Sequence, residues 1–142
     1  MLFRSPLALL LAGCATTTNA HVDTPSGRAE ATVRASQAAV KGFIQGQMID
    51  AGYSIRTDGG SKLVFGKFGE PSFGGIGAEW GYVIGYSLID TAPTVRVVAE
   101  PRAVLHYSKI NETEYTLAPQ YGQNATAQAD AVLAALKHKF GG

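Results

Sequence analysis

Residues 80–89 read Trp80-Gly81-Tyr82-Val83-Ile84-Gly85-Tyr86-Ser87-Leu88-Ile89, and Asp90-Thr91-Ala92-Pro93 separates them from Thr94-Val95-Arg96-Val97-Val98-Ala99-Glu100. Side chains of a strand alternate between its two faces, so Trp80, Tyr82, Ile84, Tyr86 and Leu88 make one large apolar face. In the second run Val95, Val97 and Ala99 oppose Arg96, Val98 and Glu100, so one side is the better buried. Two such runs around a short turn predict a hairpin with strands at 80–89 and 94–107. Pro101 has no N–H to give a ladder, which marks a bend or an edge position.

The residues before this hairpin predict another. Tyr53, Ile55 and Thr57 alternate with Ser54, Arg56 and Asp58, and β character resumes at Lys62-Leu63-Val64-Phe65 after Gly59-Gly60. Asp-Gly-Gly between apolar runs tolerates the positive φ that tight hairpin turns require. Upstream, apolar residues recur with helical spacing at Val40, Phe43, Ile44, Met48 and Ala51. Ser36 is placed to cap that helix at its start and Gly52 to end it, giving a helix over 37–51. Gly42 and Gly46 inside it each cost about 1 kcal/mol relative to Ala, which implies either close packing of their face or a docking surface. Alternation over Glu30–Arg34 predicts a short strand.

At the other end, Ala125, Ala129, Val132, Leu133, Leu136 and Phe140 form a helical stripe over 124–140, with Asn124 placed to cap it and Gly141 to follow it. Lys137 and Lys139 complement the negative end of its dipole. The element order is therefore β-α-β-β-β-β-α. Hairpin-linked strands imply an antiparallel sheet, and the two helices belong on one face of it, as an α+β two-layer sandwich.

Residues 15–28 are small and polar without periodicity, a linker whose span is about 20 Å. Before them, Arg4 precedes the apolar run Leu7-Ala8-Leu9-Leu10-Leu11, and Leu11-Ala12-Gly13-Cys14 closes it with small residues and the single cysteine. Six apolar positions fall well short of the roughly 20 that span a bilayer, whereas a positive start, an apolar run and small residues match an export signal. The segment resembles the signal peptide and lipobox of bacterial lipoproteins. That resemblance implies cleavage before Cys14, diacylation of that cysteine with palmitate-type chains, and a lipid anchor in the membrane. Ala15, where an aspartate would imply inner-membrane retention, implies the outer membrane with the chain facing the periplasm. The expected organisation is a signal peptide at 1–13, a lipidated tether at 14–28 and a single domain at 29–142, which resembles in outline the small helix-on-sheet domains of periplasmic lipoproteins.

Loss of residues 1–13 removes Arg4 and leaves eleven basic against eleven acidic residues. A scattered, neutral charge distribution points away from nucleic acid. With Cys14 acylated there is no disulfide, so stability rests on the core.

Motifs that carry chemistry are lacking. His21, His106 and His138 do not fall at metal-ligand spacing, and neither a Gly-x-Ser-x-Gly elbow nor a phosphate loop ending in Lys-Ser/Thr occurs. Glu100 and His106 could meet on adjoining strands, but solvated side chains are the commoner outcome. Asn111-Glu112-Thr113 and Asn124-Ala125-Thr126 match a glycosylation pattern that a bacterial envelope leaves without use. No catalytic residue, metal or cofactor is expected.

Residues 66–79 form a long connection in which five glycines accompany Phe68, Phe73 and Ile76. Long structureless loops tend to be functional, although an apolar loop can equally cover the second face of the sheet. The sequence thus implies a non-enzymatic interaction or structural module of the cell envelope. Its candidate surface comprises Phe68, Phe73, Ile76, Trp80, Tyr82 and Tyr86, and its partner is another envelope protein or the cell-wall polymer. The alternative is a small carrier of an apolar ligand or lipid, with the same aromatic residues lining a cavity between sheet and helices.

Overall fold

The computed structural model describes residues 28–69, 80–105 and 115–141. Strand β1 (Glu30–Val33) is followed by helix α1 (Gln37–Asp50), β2 (Ser54–Asp58), β3 (Lys62–Phe68), β4 (Trp80–Thr91) and β5 (Thr94–Leu105). A two-residue strand β6 (Tyr115–Thr116) and a 3-10 turn (Pro119–Gly122) then lead into helix α2 (Gln123–Phe140). Five antiparallel strands lie in the order β1-β5-β4-β3-β2, with β6 added to β5. Apart from β6, the element sequence is the expected β-α-β-β-β-β-α, and the fold is the expected α+β one.

The hairpin at 80–105 is the spine of the sheet. Its register runs unbroken from Trp80↔Leu105 to Thr91↔Thr94, so the turn shrinks to Ala92-Pro93 and β4 reaches further toward it than the sequence suggests, while β5 begins at Thr94 as expected. The expected inward face of β4 is the observed one: Tyr82, Ile84, Tyr86 and Leu88 join Leu63 and Phe65 of β3 and Val95, Val97 and Ala99 of β5. Val40, Ile44 and Met48 of α1 and Ala125, Ala129, Val132, Leu133 and Leu136 of α2 close over them. Both helices therefore sit on one face, and Phe43 and Phe140 meet edge-on between them at 5.7 Å.

Local signals explain most boundaries. Ser36 Oγ accepts a hydrogen bond from the Ala39 amide at 3.1 Å, and Gly52 and Gly60 take φ of +91° and +69° after α1 and in the β2–β3 turn. Pro101 is neither at a bend nor on an edge strand of the sheet as a whole, yet its position obeys the same rule. Along the outer side of β5 the Ala99 amide bonds Ala29 of the chain leading into β1, and the Leu117 amide bonds the Ala103 carbonyl. Pro101 stands in the gap between them, where a missing N–H breaks no ladder bond.

Three expectations need correction. The Asn124 side chain does not cap α2, which begins after the 3-10 turn with no side-chain cap. Ile55 is 45% exposed rather than packed inward: it lies opposite inward-facing Phe65 but on edge strand β2, whose register then shifts between Ile55 and Thr57 with Arg56 as a bulge. The glycines of α1 are not tightly packed, since a Cβ at Gly42 or Gly46 would meet nothing within 4 Å.

The second face of the sheet carries a small cluster of Val83 and Val104 with Val64. Beside it run the charges. Arg28 and Lys62 reach Glu100 at 2.8 and 3.3 Å, and Arg96 donates through Nε and Nη2 to Glu30 Oε1.

Candidate binding cleft at the α1–β3–α2 end

The sequence-derived surface does not form one surface. Trp80 and Tyr82 are 4% exposed and Tyr86 is fully buried, so these three belong to the core and are corrected to packing residues. Trp80 lies edge-on to Tyr82 at 5.0 Å and Tyr86 to Phe65 at 5.9 Å. Phe68 is 58% exposed, but it is opposite Gly81 in the ladder while Lys67 is opposite Tyr82. Alternation therefore puts Phe68 on the second face and Lys67 on the helix side. Cys14, Phe73, Ile76, His21 and His106 lie outside the described residues.

The connection expected at 66–79 is also shorter. β3 continues through Phe68, and the Gly69 amide still bonds the Trp80 carbonyl at 3.1 Å. The extra turn of ladder carries Lys67 past the C-terminus of α1, where its ammonium donates to the Ala51 carbonyl at 3.1 Å and lies 5.4 Å from the centroid of the Tyr53 ring.

Lys67 borders a cleft of about 310 Å³ at this end of the sandwich, shared with Tyr53, Tyr82, Asn124, Ala127 and Gln128 and walled by the chain at Phe68. Asn124, Ala127 and Gln128 come from one face of α2, three and four residues apart. Asn124 Nδ2 donates to the Tyr82 phenol oxygen at 2.9 Å, and Gln128 Nε2 approaches Met48 Sδ at 3.8 Å. Deeper in, the Tyr86 hydroxyl donates to the same sulfur at 3.3 Å. Burial, reinforced by Tyr53 and Asp130, pushes the Tyr86 phenol far above its ordinary pKa, which keeps it a neutral donor.

A second cleft of about 330 Å³ opens by Ala29, Ala99 and Pro101, under Arg28 and Glu100. Arg28 and Glu100 pair with each other at its rim, and Asp130 adds a second carboxylate to its lining. The Lys67 cleft differs: among the described residues its lining holds one cation, two phenols and two amides and no acidic side chain. Sequence reasoning missed Lys67, Tyr53 and Gln128. The helical spacing of Asn124 and Gln128 was visible, but nothing local tied them to β3.

Among the described residues no three His, Cys, Asp or Glu side chains gather as a metal site, and Glu100 is held by Arg28 and Lys62. His138 is exposed in the last turn of α2. No protein-family model matches the chain, and no curated protein matches it.

Proposed function

We propose that this chain is a lipid-anchored envelope lipoprotein, held through acylated Cys14 at the periplasmic face of the outer membrane, whose folded part is a non-enzymatic interaction module. The observation that carries the reading is the cleft of Tyr53, Lys67, Tyr82, Asn124 and Gln128. Its polar groups converge and are pre-positioned by bonds to the fold, the arrangement that binding sites use to fix orientation. Exposed Phe68 on the other face of the same strand end adds a second contact point. The carrier reading draws less support, because the aromatic residues it would line a cavity with are packed edge-on against one another.

Photo-crosslinking in cells tests the module, with a probe at Phe68 and a control probe at exposed Thr91 at the far end of the β4–β5 hairpin. Discrete adducts specific to position 68 are expected, and identical patterns from both probes would sink the docking reading. The anchor is tested separately by Cys14→Ala, which should accumulate as unacylated precursor or soluble chain. Normal membrane anchoring of that variant would overturn the localisation.

A further inference from the structure

The geometry points to a ligand class for the cleft: we infer that it takes the free carboxylate terminus of a peptide, one or two residues deep. The inference rests on the binding-module reading and specifies what the module holds.

Charge comes first. Among the described residues Lys67 is the one charged side chain of the cleft and makes no salt bridge. An ammonium has three donors; one is spent on the Ala51 carbonyl, and that bond together with the Tyr53 ring holds the head group in place. A carboxylate placed there gains a charge-assisted hydrogen bond without first ordering the lysine.

Hydrogen-bond polarity comes next. Asn124 spends one of its two N–H groups on Tyr82, and Gln128 directs one of its own toward Met48. Each amide keeps its carbonyl oxygen as an acceptor, with a second N–H beside it. A cation beside two acceptors complements a carboxylate followed by backbone N–H groups, which is the sequence of groups at a peptide's C-terminus.

Size and shape select against the obvious competitor. Ligand pockets run from roughly 300 to 1,000 Å³, so about 310 Å³ admits a small terminal group. An acidic sugar would also satisfy Lys67, but sugars are gripped by an open aromatic face. Tyr53 and Tyr82 are 6% and 4% exposed, so neither presents an open ring face.

The test is a titration of the full chain in detergent with N-acetyl-alanyl-alanine, its C-terminal carboxamide and glucuronic acid. Calorimetry and the emission of Trp80, which lies 5.0 Å from Tyr82, report binding. The free acid should bind in the millimolar range and about tenfold more tightly than the carboxamide, the difference expected for one charge-assisted bond. Lys67→Gln should erase that difference and Lys67→Arg retain most of it, with circular dichroism showing both folded. Gln128→Ala should weaken acid and carboxamide alike. Equal binding of acid and carboxamide, absence of binding, or preference for glucuronic acid would each overturn the inference. Position-68 adducts in cells without dipeptide binding would leave the module standing and remove only this ligand; dipeptide binding without adducts would do the reverse.

Discussion

The side-chain amide of Asn124, in the first turn of α2, donates to the phenol oxygen of Tyr82 on β4 at 2.9 Å, tying together residues that are 42 positions apart. The bond is partly buried, so neither group recovers a water partner fully when the other is removed. Tyr82→Phe and Asn124→Ala should each cost about 1 kcal/mol. The double variant should cost clearly less than the two singles combined, which chemical denaturation of all four proteins reads as a coupling energy. Additive losses would show that the bond does not contribute.

The α1 glycines should be replaceable with a gain. A methyl group at Gly42 or Gly46 meets nothing within 4 Å and both positions are exposed. Gly42→Ala and Gly46→Ala should each raise stability by about 1 kcal/mol through the lower backbone entropy of the unfolded chain. Thermal unfolding measures this, and a loss of stability would mean that the glycines serve the fold in a way their surroundings do not reveal.

Gly69 should behave in the opposite manner. A Cβ there would fall 2.2 Å from the Trp80 ring, which covers the glycine across the ladder. The indole is large and packed on Tyr82, so Gly69→Ala should cost about 2 kcal/mol by overpacking. Trp80 is the only tryptophan, so its emission should shift to the red as the ring is displaced. Unchanged emission and stability would show that the ring moves aside freely.

Acid sensitivity should trace to Asp58. The Lys41 ammonium lies 2.6 Å from Asp58 Oδ1, and Gln45 donates to Oδ2 at 3.2 Å. The hydrogen bond from Lys41 is the main cause holding the Asp58 carboxyl below its ordinary value of 3.8. A depressed folded-state pKa means stability that is present above the unfolded value and is lost as pH falls through the folded one. Wild type and Asp58→Asn should therefore differ in stability at neutral pH and converge below about pH 4. A constant gap down to acid pH would exclude the pair as the source. The pair is exposed, so the gap should also narrow as salt is added.

How far these positions could be read in advance differs from one to the next. Ser36, Gly52, Gly60 and Gly141 carry their reasons in their own chemistry, a hydroxyl facing bare amides or a backbone with no Cβ to clash, and each sits at the boundary expected of it. Asn124 has the chemistry of a cap as well, and there the local reading failed. A 3-10 turn starts the helix one residue earlier, and the amide finds a phenol on a strand instead. The aromatic run of β4 was read correctly as one face and wrongly as a contact surface. Alternation tells which residues lie together, and burial depends on what is laid over them.

The sequence by itself determined the elements and their faces, because hydrophobic period and turn chemistry act over a few residues. It therefore sufficed for two helices, two hairpins and an antiparallel α+β sandwich. Tertiary structure alone decided the strand order that seats β1 beside β5, the side of the sheet on which Phe68 and Lys67 part company, and the meeting of Lys67, Tyr53, Tyr82, Asn124 and Gln128 around one cleft. Those groups come from four segments far apart in the chain, and they are brought together by burying a common apolar core, to which Tyr53 and Tyr82 themselves belong.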